Sequence, residues 1–229
     1  ELAGRNPRLI YCSLTGYGQS GPLSQEAGHD LNYLALTGIL GAIGPADRPP
    51  TAPLNLLADF AGGSLFATIG ILAALHERNT SGKGQHIDAA MIDGCMSLMA
   101  MHYSVWGSNI MPERGTGWLA GSAPYYRCYP CSDGRYISVG SLEPQFFAAL
   151  WADIGEGPLP DQMDMTCWDH IEQTFASAFA ASPRDEWAAR YSGKDVCIFP
   201  VLDPSEVWQH PHIRQRFPDA SAHNIPAAP

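Results

Sequence analysis

The sequence predicts an α/β protein in which a larger α/β part is followed by a smaller α+β part. The chain has 229 residues, of which 45% are hydrophobic, enough for one large domain or two small ones. A strand pattern at 9–14 is followed by a long helical pattern at 54–78 and a further strand pattern at 85–89. Two more strand patterns, at 125–131 and 136–139, flank a turn and predict a hairpin.

Changes in these patterns place the domain boundaries. We assign residues 1–106 to the larger part and 122–205 to the smaller one. Residues 107–121, with a proline and four glycines, are predicted to be a linker. The remaining segment, 206–229, is predicted to return toward the larger part.

The charge and the cysteines limit the classes of function. A formal net charge of −10 disfavours general binding of nucleic acid or of an anionic membrane. Six scattered cysteines in a chain of this size are typical of a reduced intracellular protein, so we expect a cytoplasmic location, or a peroxisome or mitochondrion in a eukaryote. Cys128 and Cys131 form a C-x-x-C pair, but no second pair completes a zinc site, and we predict no metal.

The most apolar segment is predicted to be a buried helix of a soluble protein. Residues 60–75 carry no charge, but this run is short for a membrane span and Asp59 adjoins it. We therefore expect no membrane span. The chain begins at Glu1 without Met, and we expect a fragment or a processed product.

Two titratable residues stand out by their surroundings. His29 opens a predicted helix, where the helix dipole disfavours a second positive charge and so keeps the imidazole neutral and able to act as a base. Asp59 lies among apolar residues near the start of the long helix, and Asn55 could orient its carboxylate from four residues earlier. Either residue could instead be purely structural. His29 could be a helix cap or an ordinary core histidine, and Asp59 could be a charge that stabilises the helix N-terminus.

Glu143 lies between a predicted strand and a predicted helix. A carboxylate there is ordinarily an N-cap group, although it could also hold a His in one tautomer. Nothing in the neighbouring sequence decides between these roles.

Several segments together resemble family III CoA-transferases, the CaiB/BaiF family, and within it the racemase branch. The segments are Asn-Pro-Arg-Leu-Ile at 6–10, Thr-Gly-Tyr-Gly-Gln-Ser-Gly-Pro at 15–22, Gly-His-Asp-Leu-Asn-Tyr at 28–33, Pro-Leu-Asn-Leu-Leu-Ala-Asp-Phe at 53–60, Ser-Gly-Lys-Gly-Gln at 81–85, Ala-Pro-Tyr-Tyr at 123–126 and Glu-Pro-Gln-Phe at 143–146. The resemblance implies a partial Rossmann-like large domain joined by a linker to a smaller α+β domain, in a family whose members are interlocked dimers. It also implies that the chain begins part-way through the large domain.

The resemblance implies roles for particular residues. His29 and Asp59 would flank the α-carbon of an acyl-CoA thioester, and Glu143 would pair with the His of the other subunit. Further residues match the surrounding substrate pocket: Gly28, Asp30, Tyr33, Asn55, Tyr126 and Leu142.

The implied reaction is the interconversion of 2-methylacyl-CoA epimers by 1,1-proton transfer through an enolate. No cofactor is required, because CoA is part of the substrate. One alternative is CoA transfer between carboxylic acids, with Asp59 as the nucleophile. The other is a truncated chain without catalytic activity. The family's transferases generally lack a His at the position of His29, which favours the racemase.

Overall fold

The computed structural model describes residues 2–111, 113–221 and 223–225. The chain divides into two compact units, Glu1–Ser122 and Ala123–Pro229. The segment at 107–121 belongs to the first unit, where the Arg114 side chain donates a hydrogen bond to the Ala46 carbonyl. The segment at 206–229 belongs to the second unit, and its residues 222 and 226–229 lie outside the described residues.

The first unit contains a two-stranded parallel sheet. Strand β1 (Tyr11–Thr15) pairs with β2 (His86–Ala90), from Tyr11 opposite His86 to Thr15 opposite Ala90. Parallel neighbours need a long crossover connection, which the intervening helices provide. Both predicted strands are therefore confirmed, with shifts of one or two residues.

The helices of the first unit differ in detail from the predicted ones. Their bounds are α1 Leu2–Arg5, α2 Asp30–Leu36, α3 Ile39–Ala42, a π-helix at Leu56–Leu65, α4 Phe66–Ser81, α5 Met91–Leu98 and α6 Ala100–Val105. The long helix predicted at 54–78 thus begins as a π-helix at Leu56 and ends at Ser81.

The prediction that the long apolar helix is buried is wrong for this chain taken alone. Phe60, Leu65, Ile69 and Leu72 are each more than half exposed. The combined helix, Leu56–Ser81, has 26 residues, and only 22% of its most apolar stretch is buried. By length and composition it could cross a membrane, although core helices of soluble proteins meet the same criteria.

A close backbone approach fixes the π-helix against α5. A Cβ atom on Gly62 would come within 2.9 Å of the Cys95 sulfur, and one on Gly94 would overlap the Gly62 carbonyl. Only glycines allow this distance, which explains the helix-weakening Gly62 in an otherwise apolar helix. Next to this contact, Leu34 and Ala58 contribute to the core of the unit.

The second unit is an antiparallel sheet covered by helices. Its strands are β3 (Tyr126–Pro130), β4 (Tyr136–Gly140) and β5 (Ile198–Pro200), in the order β3-β4-β5. Its helices are α7 Pro144–Ile154, α8 Trp168–Phe179, α9 Arg184–Tyr191 and α10 Pro211–Arg216, with 3-10 turns at Met165–Cys167 and Val207–Gln209. The predicted hairpin and the helix predicted after Glu143 are confirmed.

An aromatic cluster forms the core of the second unit. Phe175 is fully buried, and its ring centroid lies within 6.3 Å of those of Tyr129, Phe147, Trp151 and Phe179. Because aromatic rings bury large apolar areas and favour tilted and edge contacts, this cluster supplies much of the unit's packing energy.

A buried ion pair fastens the end of the sheet. Arg184 is 3% exposed and donates to both carboxylate oxygens of Glu206, at 2.8 and 2.9 Å, and to the Val201 carbonyl at 2.9 Å. The bidentate geometry satisfies a charge that would otherwise be costly to bury.

Candidate functional site

His29 stands at the entrance of helix α2. It is the N-cap residue, its side chain is exposed, and its backbone N–H donates to Asn32 Oδ1 at 3.1 Å. The imidazole is therefore held by a fixed backbone while remaining open to a ligand. Asp30 follows it and is the first residue of the helix.

The Asp30 carboxylate joins this helix to the π-helix. Asp30 is 4% exposed, and its Oδ2 accepts hydrogen bonds from the Ala58 N–H at 2.7 Å and the Asp59 N–H at 2.9 Å. It thereby satisfies two of the N–H groups that the start of a helix leaves free. His29 is the residue before Asp30, so these two bonds link the start of the helix that follows His29 to the backbone of Asp59.

Asp59 is half-buried in the first turn of the π-helix. Its Oδ2 accepts a hydrogen bond from Asn55 Nδ2 at 3.1 Å, and its backbone carbonyl accepts one from Ser64 Oγ at 2.9 Å. The interaction predicted between Asn55 and Asp59 is therefore present. The positive end of the helix dipole favours negative charge at this position, whether on the carboxylate or on a bound substrate.

Tyr33 and Gly28 form the side of the site next to His29. The Tyr33 hydroxyl donates to the Gly28 carbonyl at 2.6 Å, and burial raises the pKa of Tyr33, with smaller contributions from Tyr17 and Asp59. A Cβ on Gly28 would come within 2.8 Å of the Tyr33 ring, so this contact requires glycine. Tyr33 is thus a neutral hydrogen-bond donor that fixes the turn before His29.

An apolar cavity of about 300 Å³ also lies in the first unit. Its lining includes Leu57, two residues before Asp59, together with Leu98, Met99, His102 and Met111. It could accept an apolar group the size of a short acyl chain. The methionines between 91 and 111 are the sequence signal for an adaptable apolar surface here, although methionine is more often ordinary core.

Glu143 belongs to the second unit and is available for an interaction. It is the N-cap residue of α7, yet its exposed side chain makes no capping hydrogen bond, so the capping role that local sequence suggested is absent. Pro144 follows it at the first helical position. Leu142 is half-buried beside it, and Tyr126 lies on β3 opposite Gly140.

The C-x-x-C pair of the sequence forms neither a disulfide nor part of a metal site within the described part of the chain. Cys128 is exposed, Cys131 is buried, and neither forms a disulfide. Among the residues that the structure describes, no group of three or more His, Cys, Asp or Glu side chains is placed to hold a metal ion.

Comparison with known proteins places this geometry in a family. The model of CoA-transferase family III matches residues 1–217. The chain belongs to this family. It is 44% identical over 222 residues to the α-methylacyl-CoA racemase of Homo sapiens, which covers 94% of this chain and 57% of that protein. It is also 30% identical over 227 residues to the acetyl-CoA:oxalate CoA-transferase of Acetobacter aceti, which covers 94% of this chain and 57% of that one.

Solved structures show the same fold. A CaiB/BaiF family protein from Brucella suis matches with a TM-score of 0.76 and 27% identity, over 94% of this chain and 58% of that one. The chain thus spans little more than half the length of the relatives it matches, and a mixed α/β fold of this family is confirmed for the residues it contains.

Proposed function

We propose that the protein containing this chain is an isomerase that interconverts the epimers of 2-methylacyl-CoA thioesters. The observation that carries this proposal is the pair of hydrogen bonds that the Ala58 and Asp59 N–H groups donate to Asp30, the residue next to His29. The 44% identity to an α-methylacyl-CoA racemase supports it independently.

The two groups would exchange protons with opposite faces of one carbon. The α-hydrogen of a thioester is acidic because the resulting enolate is delocalised. Neutral His29 removes the proton from one epimer, and Asp59, protonated at that moment, delivers one to the other face. For the reverse direction the roles are exchanged. Asn55 holds the Asp59 carboxylate in place, and the N-terminal end of the π-helix favours the negative enolate.

The acyl group would occupy the apolar cavity beside Leu57. Burying a methylene group contributes about 0.8 kcal/mol, so a lining of Leu and Met side chains rewards a branched or extended acyl chain. CoA enters as part of the substrate, and the proposed mechanism uses neither a metal nor a separate cofactor.

Completion of the site would come from a second copy of the chain. In this proposal the protein is an interlocked homodimer, and Glu143 of one subunit accepts a hydrogen bond from His29 of the other. The exposed Glu143 carboxylate, which makes no capping bond, supports this role. Such a bond would fix the tautomer of His29 that abstracts the proton.

CoA transfer is the second candidate function. The 30% identity to a CoA-transferase favours it, and Asp59 could attack a thioester to form an acyl-enzyme anhydride. A third possibility is an assembly role without catalysis, which CoA binding by the chain would exclude.

The decisive experiment follows both activities in the whole protein. A single 2-methylacyl-CoA epimer is incubated in deuterated water, and deuterium incorporation and epimer ratio are measured. The His29→Ala substitution should lower both rates by about 10²–10⁴-fold, whereas the exposed His212→Ala should leave them unchanged. Asp59→Asn should abolish either reaction. Transfer of CoA to a free acid that survives in His29→Ala, with a hydroxylamine-sensitive acyl group on Asp59, would contradict the racemase.

A further inference from the structure

Glu143 follows a short loop that is anchored at several points. Gly140, at the end of β4, donates its N–H to the Cys197 carbonyl at 2.9 Å. Ser141 is fully buried, and its hydroxyl donates to the Val196 carbonyl at 2.6 Å. The Leu142 N–H donates back to Gly140 at 2.8 Å. The loop is therefore held against the segment before β5, directly ahead of the exposed Glu143.

Two backbone carbonyls of this loop accept hydrogen bonds from one side chain that is about twenty residues further along the chain. Gln162 is 6% exposed, and its Nε2 donates to the Ser141 and Leu142 carbonyls, both at 2.9 Å. Its own backbone carbonyl accepts a hydrogen bond from Trp168 Nε1 at 3.0 Å. Without Gln162 both carbonyls would lack this hydrogen-bond donor, and an unpaired carbonyl that is buried away from water costs free energy.

This contact requires a side-chain nitrogen that carries two N–H groups. The two N–H groups of one nitrogen reach two successive carbonyls, which no Ser, Thr, Asp or Glu side chain can do. The reversed orientation would direct Oε1 at both carbonyl oxygens and is repulsive. The Gln162 Oε1 atom is buried without a partner among the described residues. The two hydrogen bonds donated by Nε2 are therefore the ones that hold the amide in place.

We infer that Gln162 is a positioning residue that sets the location of the Glu143 carboxylate through the Ser141–Leu142 carbonyls. The inference deepens the proposed function and rests on it, because Glu143 matters for proton transfer only if it orients His29. Gln162 touches neither substrate nor His29 in this scheme. Its effect passes through Glu143.

A double-mutant cycle in the whole protein tests this pathway. Gln162→Met preserves the length of the side chain and removes both donors. It should lower kcat for α-deuterium incorporation by about 10–100-fold, the effect of a displaced catalytic arrangement, with little change in KM. In a Glu143→Gln background, the same substitution should change kcat less than about twofold, because the group that it positions is already neutralised. Equal losses in both backgrounds would show a merely structural role and overturn the inference.

A readout that does not depend on activity accompanies the cycle. Amide hydrogen exchange of the peptide covering 140–147 should increase in Gln162→Met and in the milder Ser141→Ala. It should be unchanged in Thr174→Val, which removes another buried hydroxyl of the same unit, bonded to the His170 carbonyl. Unchanged exchange in Gln162→Met overturns the inference even if kcat falls.

The two proposals fail differently. If the unmodified protein incorporates no deuterium, the proposed function is wrong, and the amide-exchange result alone decides whether Gln162 orders the loop. If the unmodified protein is active and Glu143→Gln has normal kcat, the racemase reading stands and the role of Gln162 in catalysis is refuted.

Discussion

Replacement of Asp30 should separate the helix that carries His29 from the one that carries Asp59. Its Oδ2 accepts two backbone hydrogen bonds, of 2.7 and 2.9 Å, at the start of the π-helix. Hydrogen bonds to a charged group contribute about 1.5–3 kcal/mol each. Removing a carboxylate that is 4% exposed also relieves part of its desolvation cost. We therefore expect Asp30→Ala to lower the free energy of unfolding by about 2–4 kcal/mol.

The isosteric Asp30→Asn should have a smaller effect. The amide oxygen of the new side chain can still accept hydrogen bonds from the two N–H groups. Only the negative charge is lost, and the free energy of unfolding should fall by about 1–2 kcal/mol. Asp93→Asn is the matched control, because Asp93 is an exposed acidic residue in the first turn of α5. Asp93→Asn should lower the free energy of unfolding by no more than about 1 kcal/mol, the range of a helix-dipole interaction.

Urea unfolding of the whole protein and amide exchange of residues 56–65 measure these effects. Deuterium incorporation at the substrate α-carbon should fall in Asp30→Ala even at temperatures where the protein remains folded. An Asp30→Ala variant as stable as the Asp93→Asn control, with unchanged amide exchange in the π-helix, would refute the bridging role of Asp30.

Three further predictions concern the rest of the chain. Hydrogen bonding to Arg184 lowers the pKa of Glu206 to about 2 from 4.5. The folded protein therefore holds fewer protons than the unfolded chain between these values, and stability should fall as pH is lowered through this window; Arg184→Met should flatten that dependence in urea titrations. Phe175→Ala should cost about 3–5 kcal/mol in the same assay, against under about 0.5 kcal/mol for the exposed Phe199→Ala. Burial, with a smaller contribution from Asp30, raises the pKa of Cys95 to about 11, so mass spectrometry should find Cys95 unalkylated by iodoacetamide in the folded protein near about pH 8 and alkylated in urea.

The local contacts of the site were largely predictable from sequence. The four-residue spacing of Asn55 and Asp59 indicated their hydrogen bond. Asp30 was identified only through the resemblance, because an acidic residue in the first turn of a helix usually faces solvent. Its hydrogen bonds to the Ala58 and Asp59 N–H groups join distant parts of the sequence and depend on tertiary packing.

Other features carried no sequence signal. A π-helix uses the same residues as an α-helix, so the hydrogen-bond pattern at Leu56–Leu65 could not be read from periodicity. Gln162 lies in a turn between Asp161 and Met163, and nothing near it in sequence indicates a contact with Ser141. The missing capping bond of Glu143 was equally invisible, because sequence specifies the cap position but not the direction of its side chain.

The exposed apolar helix shows what a hydrophobic pattern does and does not report. Leu65, Ile69 and Leu72 are each 60% exposed although the pattern predicted burial. Apolar surface removed from water contributes about 25 cal/mol per Å², so a continuous row of such side chains gains considerable free energy from any polypeptide that covers it. The pattern therefore specifies the environment that the helix requires, not the part of the protein that provides it. In the proposed homodimer a second subunit could provide that cover, and the same association would bring the Glu143 of one subunit to the His29 of the other. Dilution that separates the two subunits should then lower the stability of this helix and the activity of the site over the same range of protein concentration, because both would require the subunits to associate.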